Sequence, residues 1–515
     1  MSKSRILLAG AALFVTLICW SLSSPINSHG DERYVIGSIW CADGYNENCL
    51  PLRLDKKISG VVSVNLGLCT PIGIEETYKR LLADQNQVQC RYKTRKNDSL
   101  PDFNSTQNNQ IESDGYVATN FNQGQHPIYY QKFMNMFASE NGALSIVLMR
   151  VFNSFMFSFL FTVLILLGVR DMKKSMIISF LSVAVPFTLF QIASINPSSW
   201  AITGCSFSWA FMYCVLKQQR EINLKTLFLT LGWMVSVAMA FSARYDVKIF
   251  IIFTNFCVLL LFFSQHLTST SRRIGLVGFL FFTAGLTIII RQNSQVLKNI
   301  SVINTDTFFD AKNQFLAIGG TLKVLIATPP RILGYESLGW FATYVPNFVV
   351  FSGLFICGGL FLNLLSKNNK QQIVALISFF GFLFLIIYSI IFGYLSTFPP
   401  FYLVRTAWRG DTFFSARYFV PLVIFYLATL VLLSNKTKVF FQKDISHVLL
   451  NLLPFTHAVS LITVGQIFRE NPSWYWVNFP LGVNSVAFIG SISFFTFTYF
   501  SMSNFSLGNE ILDAS

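Results

Sequence analysis

The chain has 515 residues, 53% of them hydrophobic and only 12% charged, about half the ~25% charged share of a soluble globular protein. A soluble fold of this length cannot hide so much apolar surface, and the 55 phenylalanines fall in long uncharged runs rather than at amphipathic spacing. The formal charge of +14 does not mark a nucleic-acid binder: residues 25–141 hold 11 Lys and Arg against 13 Asp and Glu, so the surplus sits among the apolar segments as a topology signal.

The first apolar run, Ile6 to Leu22, follows Lys3 and Arg5 and has the form of a signal peptide or a signal anchor. Small residues follow at Ser21 to Ser24 without an A-x-A site. Residues 1–24 therefore read as an uncleaved first transmembrane helix with a cytoplasmic N-terminus.

Residues 25–141 read as one large extracytoplasmic loop. Four cysteines in it, Cys41, Cys49, Cys69 and Cys90, favour two disulfides, and neighbour pairing is the simplest connectivity. A zinc site is the rival, but neither CxxC spacing nor clustered His is present. Cys19, Cys205, Cys214, Cys257 and Cys357 lie in apolar runs, where Cys acts as a small hydrophobe.

Residues 142–505 read as a multi-pass domain. Apolar segments of spanning length, ~20 residues each, begin near Ala143, Ser175, Ala201, Thr226, Val247, Ile274, Phe348, Ile373, Tyr418, Ile445 and Val483. With the first helix they give an all-α polytopic membrane protein of about 12 transmembrane helices. Basic residues cluster in alternate connections: Arg170 with Lys173 and Lys174, Lys217 with Arg220 and Lys225, Arg272 with Arg273, Lys367 with Lys370, and Lys436 with Lys438 and Lys443. Positive-inside orientation places these in the cytoplasm, together with a tail at 506–515. The turn Asn196 to Trp200, the charges Arg244 to Asp246, and loops 291–347 and 396–417 then face outward.

Two polar clusters bracket the first loop. His29-Gly30-Asp31-Glu32-Arg33 follows the first helix, and Gln125-His126-Pro127-Ile128-Tyr129-Tyr130 precedes the second. Both ends must return to the membrane surface, so their polar groups can converge. A carboxylate there can serve as a general base or bind a divalent metal; the plainer readings are an interfacial acid in water or one paired with Arg33, and a loop histidine bonded to backbone.

Arg150 and Asn153 lie one turn apart inside the second helix. An intramembrane arginine is costly and is retained with an acidic or phosphate partner. Arg244, Arg405, Arg409 and Arg417 add positive charge to the same face, either as phosphate ligands or as members of local ion pairs at helix ends. No Walker loop, dinucleotide glycine motif, HExxH or GxSxG occurs.

At the two clusters the sequence resembles GT-C-type polytopic glycosyltransferases, which use polyprenyl-phosphate-linked sugars. Asp31-Glu32 matches the acidic position of their first outer loop. His126-Pro127-Ile128-Tyr129-Tyr130 matches a His-Pro-Pro-Leu-Tyr-Tyr-like motif, with Ile128 in place of the second proline. Along its length the chain also resembles bacterial DUF2142-type membrane proteins sharing this layout, through Gly30-Asp31-Glu32, Ser38-Ile39-Trp40-Cys41, Asn196-Pro197-Ser198-Ser199-Trp200, Gly339-Trp340 with Pro346, and Ala416-Arg417-Tyr418-Phe419-Val420-Pro421.

The resemblance implies a sugar transfer from a polyprenyl-phosphate donor to a cell-envelope glycan or lipid acceptor, on the outer face of the cell membrane. It casts Asp31 as base with Glu32 assisting. His126, Tyr129 and Tyr130 would shape the sugar site, and Arg150, Asn153, Arg244, Arg409 and Arg417 the donor site. The turn Asn196 to Trp200 lacks the acid that many metal-dependent members place there, so a divalent metal stays open and no cofactor is certain. Two readings from other classes stand beside it: a transporter or flippase for a lipid-linked glycan, and a non-catalytic envelope assembly subunit whose disulfide-linked loop binds a partner.

Overall fold

The computed structural model describes residues 2–23, 32–43, 49–54, 57–65, 116–120, 127–139, 141–218, 223–266, 348–349, 351–352, 419–434, 442–468 and 482–512. The expected spans near Ile274 and Ile373, nearly all of the one near Phe348, and loops 291–347 and 396–417 lie outside these residues.

Helix α1 covers Lys3–Leu22. After it come α2 (Glu32–Trp40), strands β1 (Cys49–Leu54), β2 (Lys57–Asn65) and β3 (Tyr116–Asn120), and α3 (Ile128–Asn135). The bundle continues with α4 (Gly142–Leu167), α5 (Arg170–Val183), α6 (Pro186–Ile192), α7 (Pro197–Lys217), α8 (Leu224–Ala243) and α9 (Tyr245–His266). Later helices are α10 (Val420–Ser434), α11 (Gln442–Phe468) and α12 (Gly482–Leu512), the last running into the segment read as the tail.

Among the described residues, five helices are long and apolar enough to cross a membrane: α1, α4, α7, α8 and the Asn484–Met502 part of α12. A sixth span results if α5 and α6 count as one broken crossing. Local sequence explains several boundaries. Asn141 caps α4 by accepting the Leu144 N–H at 3.1 Å, and Asn223 caps α8 by accepting the Thr226 N–H at 2.9 Å. Asn196 accepts the Ser198 N–H at 2.8 Å, and Pro197 occupies the first turn of α7, where its missing N–H costs nothing.

Helix α1 packs between α4 and α12. It runs antiparallel to α4: Gly10 faces Thr162, and the Ser21 and Ser154 hydroxyls meet at 3.0 Å. Small residues set the close approaches, as in other membrane bundles. A Cβ on Gly204 of α7 would overlap the Ser236 carbonyl and Ala240 of α8.

Two expectations change. The run beginning near Ser175 is not one straight helix, because α5 and α6 meet at 106°. Pro186 lacks an N–H and drives Val185 into an extended conformation (φ −79°, ψ 161°), so the helix stops before it and restarts after. The stretch Asn196 to Trp200, expected as an outer turn, is instead a buried cap and first helical turn.

Between α1 and α4 the chain also forms a small antiparallel sheet in the order β1-β2-β3. Its register pairs Val62 with Pro51 and with Thr119, and an irregularity at Pro51 to Arg53 bends β1. Helix α2 packs against β2, β3 and α3.

Candidate functional site at the junction of α1, α2 and α4

Arg150 lies two turns into α4 and is fully buried. Its guanidinium meets Glu32, the first residue of α2, as a fork. Nη2 donates to Oε2 at 2.8 Å and to Oε1 at 2.9 Å, and Nε donates to Oε1 at 3.1 Å. Nη1 donates to the Ser21 carbonyl in the last turn of α1 at 2.9 Å. The cation thus sits against the negative end of α1, and the carboxylate starts α2, where an acid complements the helix dipole. One charged pair holds three elements together. Both side chains have zero exposure, and losing either partner of such a pair costs ~3–5 kcal/mol, since the other charge stays buried alone.

One turn further, Asn153 joins α4 to the α6–α7 corner. Its Nδ2 donates to the Ser194 carbonyl at 2.7 Å, and its Oδ1 accepts from Trp200 Nε1 at 2.8 Å. Ser154 donates to the Arg150 carbonyl, Ser194 to the Gln191 carbonyl and Ser199 to the Ile192 carbonyl. An aromatic layer covers this polar core. Tyr130 meets Trp200 edge-on at 5.1 Å, and Phe133 packs on Trp200 at 5.3 Å and on Phe152 at 5.1 Å. Burial holds the Tyr130 phenol well above the ordinary tyrosine range.

The structure brings together Glu32, Arg150, Asn153 and Tyr130 of the expected site. Of the two partners expected for Arg150, an acid or a phosphate, the structure supplies an acid, Glu32, and the two side chains expected as donor-site cation and assisting carboxylate are paired with each other. Tyr129 parts from its neighbour: it is 69% exposed on the outer face of α3, while Tyr130 points inward. Arg244 ends α8 in an extended conformation, apart from this cluster in sequence and half-buried. Asp31, His126, Arg409, Arg417, Cys69 and Cys90 lie outside the described residues, as does the Cys49 side chain. Among the described residues no group of three or more His, Cys, Asp or Glu could hold a metal ion.

Sequence reasoning missed His457. It is fully buried in α11, between Trp20 at 5.7 Å and Phe494 at 4.1 Å, with Nε2 2.7 Å from the Ala184 carbonyl. A histidine three residues after Pro454 inside an apolar run was the available signal.

Chemically, the charged and amide groups of the described core are paired, whereas the buried Tyr130 hydroxyl and Ser198 Oγ have no hydrogen-bond partner among the described residues. Both Glu32 oxygens are engaged by Arg150, and both polar atoms of the Asn153 amide are bonded. It fixes the geometry of the junction beneath α2 and α3. No curated protein and no solved structure matches the chain. Residues 13–426 match the family described as "Predicted membrane protein (DUF2142)", most of the sequence, and the chain belongs to that family of membrane proteins.

Proposed function

We propose that this membrane protein is a GT-C-like glycosyltransferase of about twelve spans, with cytoplasmic termini. It would transfer a sugar from a polyprenyl-phosphate donor to an envelope glycan or lipid acceptor on the outer face of a bacterial cell membrane. Asp31 takes the proton from the acceptor hydroxyl as that oxygen attacks the sugar, and the polyprenyl phosphate leaves. His126 shapes the sugar site, and Arg244, Arg409 and Arg417 stabilise the charge on the departing phosphate.

The observation that carries this reading is the pairing of α2 with α3. Helix α2 begins at the residue after Asp31, and α3 begins two residues after His126. Asp43 ties the two together, accepting from Asn135 Nδ2 at 2.8 Å and lying 3.9 Å from Lys132 Nζ. Two disulfides among Cys41, Cys49, Cys69 and Cys90 belong to the same reading. In cells expressing the folded protein, Asp31→Asn should abolish the sugar modification of the envelope. An unchanged glycan profile would remove Asp31 from the reaction.

A specific observation favours a second reading, a transporter or flippase for a lipid-linked glycan. Transporter sites gather at broken helices, and the α5–α6 break meets buried His457 on α11, which itself contains Pro454. Loss of function in His457→Ala with none in Asp31→Asn would select this alternative.

A further inference from the structure

Helix α3 has two faces. Tyr130, Gln131 and Met134 are buried toward the bundle. On the other side Ile128, Lys132 and Met136 recur every fourth residue with Tyr129 beside them, and Met136 is 67% exposed. A second exposed stripe, Leu144, Leu148, Phe155 and Phe159, runs down α4 at helical spacing. Its lower part lies beside α1, where Phe155 meets Phe14 edge-on at 6.0 Å. This is the face that a spanning helix turns to lipid.

The depth of α3 follows from its partners. Helix α1 has 20 residues, enough for ~30 Å of hydrocarbon at 1.5 Å per residue. It ends level with Arg150 and Ser154, which contact Ser21. The chain between α3 and α4 turns sharply, with the Ser139 N–H donating to Ser145 Oγ at 2.9 Å. Phe133 and Phe137 then pack against Phe152 at 5.1 and 5.4 Å. Helix α3 is therefore folded back to the level at which α1 ends, which is the hydrocarbon boundary.

We infer that the exposed face of α3 is an in-plane lipid contact, with Ile128, Tyr129 and Met136 against acyl chains and Lys132 among the headgroups. An amphipathic helix at this depth buries its apolar side in the headgroup–acyl boundary, and tyrosine favours that layer. An eight-residue helix offers one narrow strip, far less than the ~800 Å² per partner of a stable protein interface, so lipid is the occupant that fits. The inference does not depend on the proposed reaction.

The test places a benzoylphenylalanine photo-crosslinker at 129, 136 or the buried position 134, one at a time, in the full chain. Each protein is reconstituted into phosphatidylethanolamine–phosphatidylglycerol vesicles containing radiolabelled phospholipid. Positions 129 and 136 should give lipid adducts several-fold above position 134. A nitroxide at 136 should likewise collide several-fold more with oxygen, relative to a water-soluble nickel chelate, than one at Asp171, which is exposed in the polar first turn of α5. Adducts to protein alone, or equal collision ratios at 136 and 171, would overturn the inference.

Discussion

His457 donates from Nε2 to the Ala184 carbonyl across 2.7 Å, because a carbonyl can only accept. The bond closes the gap left where Pro186 ends the hydrogen-bond ladder of α5, and it fastens α11 to the break. An orphaned carbonyl there would have neither water nor helix to satisfy it.

Replacing His457 by Phe should therefore cost ~1–3 kcal/mol, the penalty of leaving a buried acceptor unpaired. Thermal unfolding in detergent micelles measures it, and His457→Gln, which keeps a donor, should recover part of the loss. A His457→Phe protein with the wild-type midpoint would show that the bond does not hold the break.

The Glu32–Arg150 pair should behave differently from the exposed pair near it. Glu32→Gln or Arg150→Met alone should destabilise by ~3–5 kcal/mol, whereas the double variant Glu32→Leu/Arg150→Met should recover most of that, since no lone charge remains buried. Lys132→Ala, which breaks a 3.9 Å contact between side chains 54% and 66% exposed, should change stability by less than ~1 kcal/mol. Denaturant titrations of the four proteins separate these outcomes.

Trp200 and Asn153 should be energetically coupled. Trp200→Phe strands the Asn153 Oδ1, and Asn153→Leu strands Trp200 Nε1 together with the Ser194 carbonyl. A double-mutant cycle should return a coupling of ~0.5–3 kcal/mol; strict additivity would mean that the bond contributes nothing.

Gly204→Val should push α7 away from α8, because the added carbons meet the Ser236 carbonyl and Ala240 rather than open space. A cost of ~1–3 kcal/mol is expected for forced overpacking, readable as a lowered unfolding midpoint. A substitution at Gly482, at the start of α12, would cost for a different reason: nothing lies near its missing Cβ, but its φ of +64° disfavours an L side chain.

The buried Tyr130 phenol gives a pH dependence of known sign. Its proton is held in the folded protein beyond the ordinary value of 10.0, so the unfolded chain releases the proton first. Its contribution to stability is complete below about pH 10 and declines above it as pH rises toward the folded value. The unfolding midpoint of wild type should fall more steeply than that of Tyr130→Phe above pH 10, and equal slopes would contradict the burial argument.

The membrane class and the helices around Ala143, Ala201 and Thr226 were legible in the sequence, because each depends on a local run of apolar side chains. The caps Asn141, Asn196 and Asn223 were not read from it, and Asn196 stood in what was expected to be an outer turn. Pro186 also lies in plain view, yet a proline permits a kink or a full break, and the 106° bend was settled by what packs around it. The sheet was harder to read, since β2 pairs with β3 across a long stretch of intervening chain.

Sequence alone required that Arg150 have a partner, because a lone cation in an apolar helix is too costly to keep. It did not decide between an acid and a phosphate, or between Asp31 and Glu32. Tertiary structure chose Glu32, 118 residues away, by ending α1 and starting α2 at the same guanidinium. It also turned Tyr130 inward and Tyr129 outward. A local pattern fixes what a residue needs, but which distant group supplies it depends on how the helices are brought together.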